Sequence, residues 1–172
     1  MPQPLVPDRA SPLFLREAEI RRGLELFFVA HRALADSIGP ILARHGLGHA
    51  HQRTLYFVAR RPGLAVAELL RLLGITKQSL SRVVGELVAG GYVEQQVGEA
   101  DRRQRLLRLT AAGRAVEAEL FASLREAMAA AYAQAGQQAV GGFWSVLSGL
   151  VPLDQRAMLA ALAEPPRAAP TL

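Results

Sequence analysis

The chain has 172 residues, 51% of them apolar, with no cysteine and a formal net charge of +5. That is enough apolar material for one compact core, and the lack of thiols excludes disulfides, thiolate metal centres and thiol redox sensing. No apolar run reaches the roughly 18–20 residues of a membrane span. Met1 to Pro12 also lacks the basic-then-apolar order of a signal peptide, so a cytoplasmic protein with no membrane contact is expected.

Charge position says more than charge size. Between Arg53 and Arg114 eleven Lys/Arg stand against five Asp/Glu, so the whole positive excess lies in the middle third of the chain. A local basic segment is the footprint of a polyanion partner, because neutralised phosphates release counterions.

In chain order, the Pro/Ala-rich residues 1–12 and 164–172 are expected as loose tails. Leu13 to about Ala35 reads as a helix with Ile20, Leu24, Phe27 and Phe28 at helical spacing. Gly39-Pro40 is expected to kink or restart it, and Ile41 to His45 then makes a short helical turn that ends at Gly46. Ala50 to Arg60 is a second helix with Leu55, Phe57 and Val58 inward, broken by Arg61-Pro62-Gly63. Val66 to Leu73 is a third, with Val66, Leu69, Leu70 and Leu73 on one face. Gly74-Ile75-Thr76 turns into a fourth helix that runs to Ala89 and is closed by Gly90-Gly91.

Two strand-like runs, Tyr92 to Val97 and Gln104 to Leu109, flank a polar connection and form a β-hairpin. Thr110 is the N-cap of a long helix with Val116, Leu120, Leu124 and Met128 in a four-residue rhythm. After Gly136 the stripe resumes as Val140, Phe143, Trp144 and Leu147, continuing or bending until Pro152. Asp154 to Ala163 is a last helix with Met158, Leu159 and Leu162 inward. The order predicts a mainly α fold with a small β-hairpin wing: a winged helix-turn-helix flanked by extra helices at both ends.

The helix from Thr76 to Ala89 carries the function. Leu80, Val83, Val84, Leu87 and Val88 make its buried stripe, while Lys77, Gln78, Ser81, Arg82 and Gly85 make the opposite face. Arg and Gln on such a helix can make paired contacts to base edges in the major groove. Thr76 caps the start, where free amides favour a phosphate near Thr76 and Ser79. The hairpin tip then sets Arg102 beside Arg103, with Arg105 and Arg108 along the return strand, and Asp101 is placed to hold one guanidinium through a paired salt bridge. Arginines on a wing suit an adjacent minor groove.

Ile75-Thr76-Lys77-Gln78-Ser79-Leu80-Ser81-Arg82, then Gly91-Tyr92-Val93-Glu94, then Asp101-Arg102-Arg103 leading to Leu109-Thr110 and Gly113, resembles the MarR family of bacterial transcriptional regulators. The resemblance runs strongly from about Ala50 to Val116. It implies a homodimer with interlocking terminal helices, bound as a double-stranded-DNA regulator to a pseudo-palindromic operator and released by a small aromatic or acidic effector. By position, Gln78, Ser81 and Arg82 match the groove-facing residues and Arg103 the wing-tip arginine supported by Asp101. The expected organisation is one domain over 1–172. Residues 13–48 and 111–163 would be dimerisation helices around a DNA-binding lobe at 49–110. The stretch from Thr110 to Pro152 is longer than usual for the family, so an extended or added helix is expected at the dimer interface.

Other signals point less far. His45, His49 and His51 lie close together in sequence, but their spacing and the missing Cys argue against a metal site. His31 and Arg32, with His51, are candidates for an effector pocket near where the family places its cleft. Phe143 and Trp144 are read as core or interface. No phosphate loop, nucleophile elbow or apolar carboxylate pair points to an enzyme or to a cofactor. The competing class is a winged-helix protein-interaction module, and the arginine cluster on the wing argues against it.

Overall fold

A computed structural model describes residues 12–98 and 101–163. The tails expected at 1–12 and 164–172 lie outside them, Pro12 excepted. The chain divides into two compact units, 1–37 and 38–172.

In the first unit a 3-10 turn, Pro12–Leu15, precedes α1 (Glu17–Ser37). Glu17 and Glu19 in the first turn suit the positive end of the helix dipole, and Glu17 pairs with Arg21 one turn on at 2.6 Å. The apolar stripe forms as expected, but none of its residues is buried: Ile20, Leu24, Phe27 and Phe28 all stay exposed.

The second unit is built around Leu55, Val58, Leu64, Leu69, Leu80, Leu87 and Leu107, all essentially shut off from solvent. Removing one such side chain costs about 2–5 kcal/mol. They come from α3 (His49–Arg60), α4 (Val66–Leu73), α5 (Lys77–Ala89) and a small sheet, with Leu42 of α2 (Gly39–Arg44) and Val116 and Leu120 of α6 (Ala111–Ala135) closing the core. Pro40 sits in the first turn of α2, where its missing amide hydrogen has no helical partner to lose. Thr54, the one buried polar side chain among the described residues, donates to the Ala50 carbonyl.

The sheet holds a strand that periodicity does not announce. β1 (Leu64–Ala65) pairs with β3 (Arg105–Leu109), which pairs in turn with β2 (Val93–Val97), all antiparallel in the order β1-β3-β2. Two residues are too short to show alternation. Gly63, at φ 85°, swings the chain after Pro62 so that its own amide donates to the Leu107 carbonyl.

Three expectations about facing are corrected. Val88 is 40% exposed, because it lies about 80° around the helix from Leu80 and marks the edge of the stripe. Leu159 is 38% exposed and Met158 only half-buried, whereas Leu162 is buried. Helix α8 (Leu153–Ala163) touches α4, and the Leu162 carbonyl accepts from Arg60 Nη2 at 2.6 Å.

At Gly136 the long helix breaks rather than bends: φ 80° and ψ 163° take the backbone out of the helical region, and α7 (Gln137–Leu150) starts afresh. Helix α7 has no buried residue. Trp144 Nε1 donates to the Tyr132 hydroxyl at 3.0 Å, while Phe143, Trp144, Val146 and Leu150 remain exposed.

Glu117 on α6 gives the unit a pH signature. Burial raises its carboxyl above the ordinary value of 4.5, partly opposed by the Arg60 guanidinium. A carboxyl that prefers its proton in the folded state contributes stability below that ordinary value and loses it as pH rises through the raised one. Glu117→Gln is therefore expected to gain stability over the native protein above pH 4.5 and to match it in stronger acid, as read by thermal melting across a pH series.

Candidate nucleic-acid interface

Helix α5 is set by its cap and its core stripe. Thr76 has extended backbone (φ −69°, ψ 151°), and its Oγ1 accepts the Ser79 amide at 3.1 Å while donating to Ser79 Oγ at 2.9 Å. A threonine cap of this kind contributes about 1 kcal/mol to the helix. Leu80, Val83, Val84 and Leu87 anchor the inner side. Lys77, Gln78, Ser81, Arg82 and Gly85 are all exposed on the other, and Ser79 is half-buried at the first turn.

One exposed member of that helix escapes a reading that looks only for cations and amides. Glu86, the sole acid on α5, continues the row Gln78, Arg82 at four-residue steps. The spacing was the available signal. Its carboxylate lies 2.7 Å from Nε2 of His51 on α3.

The wing is the β2–β3 ribbon, in register with Val93 opposite Leu109 and Val97 opposite Arg105. Because side chains alternate across a strand, Arg105 and Arg108 point to opposite faces. Arg108 stands across from Glu94 and donates through Nε to Gln96 Oε1 at 3.2 Å, whereas Arg105 reaches back to the Arg102 carbonyl at 3.2 Å. At the tip, a Cβ on Gly98 would come within 2.8 Å of the Asp101 carbonyl oxygen, so the close turn requires glycine. Arg102 and Arg103 are exposed there.

The role expected of Asp101 is corrected. Its carboxylate accepts the backbone amide of Arg103 at 2.9 Å and the Gln104 side-chain amide at 3.5 Å. Among the described residues no guanidinium forms an ion pair with it. Asp101 thus shapes the turn through the backbone, as Asp does in Asx-turns, and leaves both tip guanidinium groups to solvent.

The histidines go separate ways. His45 faces Tyr92 (3.4 Å) and Glu119 (3.6 Å), His51 engages Gly48 and Glu86, and His49 is exposed. Among the described residues no three His, Asp or Glu side chains converge as metal ligands. On α1, His31 stacks on Phe27 at 6.3 Å between ring centroids, and both His31 and Arg32 are exposed. Both ring nitrogens of His51 are engaged within the fold.

A capped helix with a basic and amide-rich outer face, followed by a three-stranded wing tipped with two arginines, defines a winged helix-turn-helix DNA-binding protein. Comparison with known proteins agrees. The family model described as "MarR family" matches residues 45–104. The HTH-type transcriptional regulator PetP of Rhodobacter capsulatus is 43% identical over 145 residues, covering 84% of this chain and 87% of PetP. The chain belongs to the MarR family of transcriptional regulators.

Among solved structures, NadR in complex with 4-hydroxyphenylacetate matches with a TM-score of 0.68 at 24% identity, over 89% of this chain and 99% of NadR. A mutant MarR from E. coli complexed with operator DNA matches at 0.63 with 20% identity, over 83% of this chain and all of the MarR chain. These likenesses carry the fold. No described helix is long and apolar enough to cross a membrane.

Proposed function

We propose that the chain acts as a homodimer on a two-fold-symmetric duplex site, each subunit laying α5 in a major groove and its wing in the neighbouring minor groove. Gln78, Ser81 and Arg82 read base edges, Lys77 contacts base or phosphate, and Thr76 and Ser79 bind phosphate at the helix start. Arg102 or Arg103 enters the minor groove on a turn shaped by Asp101, and Arg105 supports that turn through the Arg102 carbonyl.

The observation that carries this reading is the outer face of α5, where every expected contact residue except half-buried Ser79 is exposed, on a helix whose inner side is locked into the core. The dimer is supported by the large apolar side chains left exposed on α1 and on the uncharged α7, Phe27, Phe28, Trp144 and Leu150 among them. Two half-sites a helical turn apart also raise the affinity of a modest basic surface. The protein works in the cytoplasm and regulates by occupancy, with no catalytic step. A small aromatic or acidic effector is proposed by analogy with NadR bound to 4-hydroxyphenylacetate. Exposed His31 and Arg32 are the candidate contacts, whereas His51 already has both ring nitrogens engaged within the fold.

The test is duplex selection by the purified full-length protein at several salt concentrations, with mass measured in the same buffer. A dimer that enriches a symmetric site, with affinity falling steeply as salt rises, is the expected result. A dimer that enriches no sequence would favour a protein-docking module. Arg103→Ala is expected to weaken binding to all duplexes alike and to flatten the salt dependence by about one counterion per half-site. An unchanged slope would remove Arg103 from the interface.

A further inference from the structure

We propose that His51 is a positioning residue for DNA reading: by holding the Glu86 carboxylate it keeps Arg82 available to the groove. The proposal rests on α5 being the recognition helix.

The imidazole of His51 is nearly buried, its side chain 12% exposed, and both nitrogens are committed. The Gly48 amide donates to Nδ1 at 3.0 Å, so Nδ1 presents a lone pair and the ring proton resides on Nε2. Nε2–H then donates to Glu86 Oε2 at 2.7 Å. One ring thereby satisfies an orphan amide at the start of α3 and anchors a carboxylate on the third turn of α5.

That carboxylate needs anchoring because of where it stands. Gln78, Arg82 and Glu86 follow one another at four-residue steps, each about 40° around the helix from the last. A loose Glu86 would lie within reach of the Arg82 side chain, and it would set a negative charge on the face that meets phosphates. With Glu86 bound to His51, the Arg82 guanidinium has no ion-pair partner among the described residues. The tether also joins the first turn of α3 to the later half of α5, 35 residues apart in sequence.

His51→Asn separates the two jobs of the ring. The asparagine oxygen occupies the place of Nδ1 and can still accept the Gly48 amide, but the side chain is too short to reach Glu86. The experiment measures duplex affinity and its salt dependence for full-length wild type, His51→Asn, Glu86→Gln and the double variant, on the site that the wild type selects, with thermal melting alongside. Expected are a loss of about tenfold in His51→Asn with a salt slope lower by about one counterion per half-site, and Glu86→Gln at least as tight as wild type. The double variant is expected within about twofold of Glu86→Gln, with the slope restored. Equal weakness in the single His51→Asn and the double variant would show that His51 serves the fold alone and overturn the proposal, as would unchanged binding by His51→Asn. A wild type that binds no duplex in a salt-sensitive way would overturn the DNA-reading assignment, and this proposal with it.

Discussion

Gly113→Ala is expected to destabilise the protein by about 3 kcal/mol or more, a large part of the 5–15 kcal/mol that holds a typical domain together. An added Cβ would lie 2.0 Å from the Tyr92 carbonyl oxygen and 2.9 Å from its carbon. That oxygen cannot retreat cheaply. It accepts the Thr110 amide at 3.0 Å, while the Tyr92 amide donates to the Leu87 carbonyl at 2.9 Å. The Thr110 hydroxyl donates to the Gly91 carbonyl and accepts the Gly113 amide, so cap, strand entry and helix start are one knot. The knot lies where the root of the wing meets α6, and DNA affinity should fall with stability. Urea unfolding at fixed protein concentration is the measurement. A variant within about 0.5 kcal/mol of wild type would mean that the junction opens far more easily than its hydrogen bonds allow.

Arg82→Ala is expected to abolish preference at one base-pair position in each half-site while leaving the rest of the selected sequence intact. A paired contact to a base discriminates by about 1–3 kcal/mol, and a two-fold site uses it twice, so discrimination should fall by about 2–6 kcal/mol in total. Arg103 makes the useful contrast, because a minor-groove or phosphate contact positions the protein on any duplex. Duplex selection with the Arg82 variant decides between the two roles. Loss spread evenly over all sequences would reassign Arg82 to the backbone. The comparison also isolates the tether, since freeing Glu86 should mimic part of the Arg82 loss.

Much of the candidate interface was legible because it is local. Thr76 and Thr110 cap helices that begin one residue later, and a cap needs only a short side chain within three residues of an orphan amide. The stripe of α5 and the exposed row opposite it follow from a 3.6-residue period, and the glycine and charges between β2 and β3 mark a turn. Val88 failed at the edge of such a stripe, where periodicity gives an angle but not the width of the surface it packs on. Asp101 failed for a different reason. Its residue type announces a hydrogen bond, and the nearest donor was the backbone two residues on rather than a guanidinium.

Composition and spacing by themselves determined the class of partner, the capped and amphipathic α5, the wing and the order of elements, because charge, capping and amphipathic period act over a few residues. Tertiary structure decided which groups meet across long separations. It made a strand of Leu64 and Ala65 by offering them the edge of β3. It brought Tyr92 so close to residue 113 that only glycine fits. It also set His51 against Glu86, a contact that no local pattern encodes, because it exists only once α3 and α5 share a core.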